Sequence, residues 1–495
     1  MLLLNLDRNS DIPLFRQVLY QLKEKIDNEI LKPGDALPST RTFSSQLGVN
    51  RTTIYKAYQE LWALGYIESR SGSYSFVRQR RELNSPNVEL AVNSIRWSQR
   101  VNPNAEKVFK MFGSINYPFS EAIQKFDGID FGRLHPDPRL FPIREFKKSL
   151  SKVISEKGEI VLDYGECNGY AELREFIAKR LRSHGISMSS GEILITNGAQ
   201  NAIDLLMKLF AKPRSRVFVE APTYGMIIPT LSYYDCDIVG IPMREDGVDL
   251  DTLEKEFKKG LPIFFYTMPN FHNPTGVTTV QEHREKLIAL FEKYNIPIIE
   301  DAFEEEMKYF GKVSLPIKSM DINQIVIYVG SFSKILFPGI RLGWIAAGKE
   351  CIDRLSTLKR FSDLSSSLPV QAALADFCER GLYALHVKKI HKIYRKRMML
   401  ASQTMKNKIK NKNVSWIEPN GGFTIWLSLK NLKYGYDELN RIFLSNKTRL
   451  ALGKDFFPHP EKNKHFRISI ASLNEKEIVE GIERLSKAIK QIYKN

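Results

Sequence analysis

Residues 324–347 read QIVIYVGSFSKILFPGIRLGWIAA. Two short apolar runs, 324–330 and 342–347, flank a turn that carries Ser331, Ser333, Lys334 and, across a stiff Pro-Gly pair, Arg341. Runs this short, rich in Ile and Val and bounded by Gly and Pro, predict strands covered on both faces. Four more runs of the same kind precede them: EILIT (192–196), RVFVE (216–220), PIFFYT (262–267) and IPIIE (296–300), with helical periodicity between. That alternation predicts an α/β domain with a mostly parallel sheet. A smaller C-terminal α+β lobe, starting near residue 385, should contain GGFTIWLSL and HFRISIA.

In an open parallel sheet, ligands bind beyond the carboxyl ends of the strands, so the residues just after each run should converge. After EILIT comes Asn197-Gly198-Ala199-Gln200 opening a helix, whose free N–H groups suit an anion. After RVFVE comes Tyr224 on a rigid turn, after PIFFYT comes Asn273 in NPTG, and after IPIIE comes Asp301. Ser331, Ser333, Lys334 and Arg341 complete the set. An anion seat, an aromatic face, an amide, an acid and a lysine describe a site for pyridoxal 5'-phosphate. Lys334 would form the Schiff base, Asp301 would pair with the pyridine nitrogen, and Arg341 with the helix start would take the phosphate. Each of these residues alone reads as a turn, a helix cap or a solvated side chain. Their order, each at a strand end, is what carries the chemistry.

The first eighty residues follow another pattern. In PLFRQVLYQLKEKIDNEI the apolar residues Phe15, Val18, Leu19, Leu22, Ile26 and Ile30 mark one helical face. Ser39 and Asn50 are N-caps for two further helices, Gly48 ends the first of these, and YIESRSGSYSFV reads as a hairpin. Three helices and a hairpin make a winged helix-turn-helix. Arg51, Thr52, Thr53 and Tyr55 open the third helix, where a recognition helix meets base edges; Arg41, Arg70 and Ser73 are placed for backbone phosphates. Residues 1–80 hold 11 basic and 8 acidic groups, so charge alone does not argue for DNA there. The domains predicted are 10–78 (winged helix), 79–125 (linker) and 126–495 (cofactor domain).

The whole chain carries 73 Lys and Arg against 56 Asp and Glu, a formal +17, which suits a polyanionic partner. Residues 386–413 hold ten Lys or Arg and no acid, a run that reads first as a solvated helix face. The four scattered cysteines exclude a zinc pattern and argue against structural disulfides. No apolar run reaches the length of a membrane span, and MLLLNLDRNSD is not a secretory signal, so a cytoplasmic protein is expected.

The string PGDALPSTRTFSSQLGVNRTTIYKAYQELWALGYIESRSG resembles the GntR family of winged-helix regulators, with Tyr74 where that family usually has a second wing glycine. From about residue 126 the chain resembles the fold-type I aminotransferases, class I/II. This resemblance implies that Arg467 holds a carboxylate of the effector and that Tyr164 reaches the phosphate of a neighbouring subunit in a homodimer. The two together are the layout of the MocR subfamily of bacterial regulators. What that implies is a regulator that binds double-stranded DNA at operator half-sites and senses a small amino compound through aldimine exchange at Lys334. The alternative is a working aminotransferase that carries a DNA-binding domain. The resemblance breaks after Asp301, where a tyrosine is usual and this chain has Phe303 and Glu304.

Overall fold

A computed structural model of the chain describes residues 2–70, 74–79, 99–112, 126–303, 306–312 and 314–494. It divides into two compact units, Met1–Trp97 and Ser98–Asn495. Among the described residues no helix is long and apolar enough to cross a membrane.

The first unit is built from helices α1 (Leu14–Asp27), α2 (Thr40–Leu47) and α3 (Arg51–Ala63), with strands β1 (Ala36–Leu37), β2 (Ile67–Arg70) and β3 (Tyr74–Val77). The strands form a three-stranded antiparallel sheet in the order β1-β3-β2. Ser39 Oγ accepts the Thr42 N–H at 3.1 Å and Asn50 Oδ1 accepts that of Thr52 at 3.0 Å, so both expected caps are made. Gly48 ends α2 at φ 61°, a left-handed conformation that glycine adopts without a steric penalty. Ile54, Ala57, Tyr58 and Leu61 of α3 pack with Val18, Leu19, Leu22 and Ile26 of α1 in one core. Ile30 does not join them: α1 stops at Asp27, and Ile30 lies beyond it, exposed.

The N-terminal strap of this unit has no motif behind it. Leu2, Leu4 and Leu6 alternate inward and pack on the same core. Gln21 clamps the Asn5 backbone through both its amide atoms (2.8 and 2.6 Å), and Gln17 does the same for Asp7 (2.9 and 2.8 Å).

The second unit centres on a seven-stranded sheet in the order β5-β11-β10-β9-β8-β6-β7. Its strands are β5 (Ile193–Thr196), β6 (Arg216–Ala221), β7 (Asp237–Pro242), β8 (Phe265–Thr267), β9 (Ile298–Asp301), β10 (Val326–Ser331) and β11 (Gly343–Ala346). β11 runs antiparallel to both its neighbours and the other pairings are parallel. Alternation sorts the two faces: Phe218, Phe265, Ile298 and Val326 enter one apolar cluster, while Val219, Tyr266, Ile299 and Ile327 enter the other. A sheet covered on both sides accounts for the continuous apolar runs in the sequence.

The smaller lobe holds an antiparallel sheet, β12-β13-β16-β15, made from Val414–Trp416, Thr424–Leu429, Lys464–Ser469 and Ala451–Leu452. A two-stranded parallel pair joins β4 (Ile129–Asp130) to β14 (Thr448–Arg449), which stitches the start of this unit to its end. The helix Pro103–Phe112 falls in the segment read as a linker and packs on the helix Ile227–Tyr233.

Helix Leu382–Lys408 carries most of the basic run, and many of its charges are already committed. Arg397 is buried, with Nη2 2.9 Å from Asp137 Oδ2. Lys408 pairs with Glu483 at 2.7 Å, and Lys396 and Lys406 reach Glu475 and Glu418. The solvated-face reading therefore holds for part of the run, and the acids that balance it come from elsewhere in the chain.

Candidate cofactor site and DNA-binding face

The ends of β9 and β10 bring the central groups together. Asp301, at the end of β9, is 4% exposed. Tyr266, from the adjacent β8, donates its hydroxyl to Asp301 Oδ2 at 2.6 Å, while Oδ1 is buried with no hydrogen-bond partner. Burial pushes the Asp301 carboxyl up to about 6; the Tyr266 bond, the Lys334 charge and the nearby Phe303 backbone N–H oppose the rise, and Glu220 adds to it. Tyr266 itself is held protonated by burial and by the Asp301 charge beside it. A buried acid with a bare oxygen needs a cationic or donor partner from outside the chain's own side chains.

Lys334 follows β10 and donates from Nζ to the Leu134 carbonyl. His135, next to that carbonyl, has its pKa lowered to about 4, first by burial and then by the charges of Lys334, Arg133 and Arg467. It is therefore a neutral imidazole at physiological pH. Arg467, on β16 and 8% exposed, donates to Asn273 Oδ1 at 2.8 Å and to the Gly132 carbonyl at 2.8 Å, with Phe456 under its guanidinium. With Oδ1 committed, Asn273 has its N–H pair to offer a ligand.

The anion seat is assembled around the turn before the helix Ala199–Phe210. Gly198 takes φ 87°, and the helix has no side-chain cap, so the N–H groups of its first residues, Ala199 and Gln200, have no acceptor in the preceding turn. Arg341 donates from Nη2 to the Asn197 carbonyl at 2.8 Å. Its guanidinium packs so close to Gly198 that a Cβ there would lie 3.1 Å from Nη2. A Cβ on Gly343 would come within 2.8 Å of Gly198 and of the Gly330 carbonyl, so glycine here lets the lysine-bearing turn approach the seat. Ser331 Oγ accepts the Ser333 N–H at 3.1 Å, and Ser333 Oγ is buried without a partner. Gln200 bonds Thr230, and Tyr224 is half-buried within electrostatic reach of Tyr266.

Within electrostatic reach of Asp301 lies a second buried group that the sequence did not suggest. Glu220 accepts Thr267 Oγ1 at 2.6 Å and the Met268 N–H at 2.9 Å. His272 Nε2 is 3.0 Å from Glu220 Oε2 without hydrogen-bond alignment. This pair braces the turn that carries Asn273.

Tyr164 is not brought to the site: it is 80% exposed, on the segment before the helix Ala171–Ser183. Phe303 is buried, and residue 304 lies outside the described residues. Tyr266, His135 and the carbonyls of Gly132 and Leu134 were missed by sequence reasoning. Tyr266 sits in an apolar run that reads as core, and a carbonyl has no sequence signature. The His-Pro step at 135–136 was the available signal for His135.

On the winged helix, Arg41, Arg51, Thr52 and Tyr55 are exposed and Thr53 is half-buried. Arg51 Nε donates to Thr40 Oγ1 at 3.3 Å, and Tyr55 OH accepts from Gln59 at 2.8 Å. Arg70 is the last described residue of β2, Ser73 lies outside the described residues, and Tyr74 is exposed at the start of β3.

Comparison with known proteins follows this division. The family Aminotransferase class I and II matches residues 135–485, and Bacterial regulatory proteins, gntR family, matches residues 14–77. The HTH-type transcriptional regulator YdfD of Bacillus subtilis is 30% identical over 97% of each chain. The probable rhizopine catabolism regulatory protein MocR of Rhizobium meliloti is 29% identical over 80% of this chain and 78% of that protein. The crystal structure of LysN, an alpha-aminoadipate aminotransferase of Thermus thermophilus, superposes with a TM-score of 0.73 at 28% identity, covering 80% of this chain and 99% of LysN.

The cofactor of this family is pyridoxal phosphate, and the donors present fit it: a buried acid with an unpartnered oxygen for a pyridinium, and an uncapped helix start with a guanidinium for a phosphate. The chain therefore belongs to the aminotransferase class I and II family, as a pyridoxal phosphate protein with a GntR-type DNA-binding domain at its N-terminal end, the architecture of the MocR regulators.

Proposed function

We propose that this chain is a transcriptional regulator that holds pyridoxal phosphate at Lys334 and answers to an amino compound that displaces the lysine there. The observation that supports it best is the unpartnered Asp301 oxygen beside Lys334, in a chain whose other unit presents a recognition helix. When bound, the cofactor supplies an aldehyde that condenses with primary amines and a ring that draws electrons once its nitrogen is protonated.

The chain's residues do the rest. Asp301 keeps the ring nitrogen protonated. The Asn273 N–H pair donates to the ring oxygen. Tyr224 covers one ring face, and Ala199, Gln200, Ser331, Ser333 and Arg341 take the phosphate. Arg467 turns from the Gly132 carbonyl to an incoming carboxylate, which favours amino acids over simple amines. Exposed Tyr164 is left for the phosphate of a second copy in a homodimer, whose two winged helices would read two half-sites. A coupling of about 1–3 kcal/mol between amine binding and DNA binding suffices for a several-fold change in promoter occupancy.

The test is to titrate amino acids into the cofactor-loaded protein, following its visible absorption and its binding to DNA upstream of its own gene. A spectral change that tracks a change in DNA affinity is the expected result, and spectral change without any effect on DNA would overturn the proposal. The intact set of Lys334, Asp301 and Arg467 also favours a second reading, a working aminotransferase. Steady formation of a keto acid at ordinary enzyme rates would select it.

For the DNA end, Arg51→Ala should weaken operator binding about tenfold, since an arginine–guanine contact is worth roughly 1–3 kcal/mol. Binding to unrelated DNA should hardly change. An equal loss on both DNAs, with a flatter salt dependence, would make Arg51 a phosphate contact instead.

A further inference from the structure

Away from the cofactor site, a cavity of about 620 Å³ opens between the helices Ala171–Ser183 and Leu382–Lys408. None of the residues assigned to the cofactor site lines it. That volume is in the range that holds small organic ligands, roughly 300–1,000 Å³. Its apolar lining includes Phe176 and Val387, both half-buried, and Tyr383, 3% exposed, with its ring 5.8 Å from that of Phe176 in an edge contact.

The charges are arranged in two tiers. At the back, Arg180 pairs with Glu306 and lies over the Tyr383 ring, and the Tyr383 hydroxyl donates to the same Glu306 oxygen. Arg180 and Glu306 therefore largely neutralise each other. At the mouth, Lys179 and Lys388 are exposed, and among the described residues Glu306 is the one carboxylate of the lining. The described residues thus make the mouth cationic over an apolar interior.

We propose that this cavity is a binding site for an organic anion with an apolar body, an aryl- or alkyl-carboxylate whose charged end meets Lys179 and Lys388 while its body packs on Phe176, Val387 and Tyr383. A cationic ligand is repelled at the mouth, and a neutral one forgoes the pairing there. The walls adjoin the cofactor site. Glu306 lies on the segment that follows Asp301, and the Tyr383 ring meets Phe332, two residues before Lys334, at 5.7 Å. Occupancy of the cavity is a second chemical input to the same unit. It goes beyond the function proposed above and stands or falls without it, because the cavity exists with or without an amine at Lys334.

The experiment is calorimetric titration of 4-phenylbutanoate into the full-length protein loaded with pyridoxal phosphate, with 4-phenylbutan-1-ol as the uncharged comparator. One saturable site per chain is expected, with the alcohol about tenfold weaker. Val387→Trp, which fills the cavity from its rim, should weaken the acid at least about tenfold, as should Lys179→Glu with Lys388→Glu. Ala384→Leu is the milder filling variant should Val387→Trp fail to fold, and retained cofactor absorbance reports folding of each. Arg467→Ala should leave the affinity within about twofold, because the acid is not seated at the amino-acid site. The proposal is overturned if no saturable binding occurs, if acid and alcohol bind alike, if the filling variants bind normally, or if Arg467→Ala abolishes binding.

Discussion

The Lys334→Ala protein should leave borohydride treatment without a reduced cofactor adduct, and its DNA binding should ignore added amino acids. Lys334 Nζ is held in place by the Leu134 carbonyl, within the field of Asp301 and beside a neutral His135. Alanine removes the amine and leaves the phosphate seat intact, so some cofactor is retained without a covalent link. The effect on covalent attachment is all-or-none, which makes it the largest expected. The measurement is mass spectrometry of the reduced, digested protein, with Lys389→Ala as the control because Lys389 is exposed on the helix Leu382–Lys408. A cofactor-sized adduct that persists on another lysine, or an unchanged response to amines, would mean that the lysine of the 331–343 turn is structural.

Asp301→Asn should separate cofactor-free stability from cofactor affinity, in opposite directions. In the folded, cofactor-free chain this carboxyl is raised by burial to about 6, against 3.8 for an ordinary aspartate. Below the lower value both folded and unfolded states carry the proton, and Asp301 costs nothing extra. As pH rises towards 6 the unfolded chain releases its proton first, the folded chain holds more protons, and stability falls; the loss is complete above about 6. A rise of this size corresponds to at most ~3 kcal/mol. Asparagine has no charge to desolvate, so the variant without cofactor should be about 1–3 kcal/mol more stable at about pH 8 and nearly unchanged at about pH 4. Its cofactor affinity should fall by about 30-fold or more, since a buried pyridinium loses its counter-ion. Denaturant melts of the cofactor-free protein at the two pH values, with a cofactor titration at the higher one, decide both points. Equal stability of the two proteins at the higher pH would mean that water reaches the acid and that its burial is not what tunes the site.

Both residues were legible in the sequence because chemistry and fold signals coincide at strand ends. Asp301 and Lys334 each follow an apolar run, and Arg341 precedes one, closely enough that finding the strand finds the residue. The two N-caps of the winged helix were equally plain, since capping is a local exchange between a side chain and the next turn. What escaped was whatever depends on distant partners. β7 was not foreseen because DIVGIP is an edge strand with Gly240, Pro242 and one fully buried residue, Ile241, so its pattern is diluted. β1 has two residues and no periodicity at all. Tyr266 looked like core because its ring is core; its hydroxyl has a job only where β8 lies beside β9. Arg397 sat in a run that read as solvated, and its acid partner, Asp137, comes from a part of the chain far away in sequence. The leucines at positions 2, 4 and 6 are too few to announce a strap, although each is placed by the alternation.

The pairing of β4 with β14, and the bond from Arg467 to Gly132, join residues more than three hundred positions apart in the second unit. A ribosome therefore releases the winged helix early and completes the cofactor site only after Arg467 has emerged. At about 5–20 residues per second, the interval between the two spans some tens of seconds. During that interval, on the function proposed above, a nascent chain carries its DNA-binding fold without the site that would answer an amine.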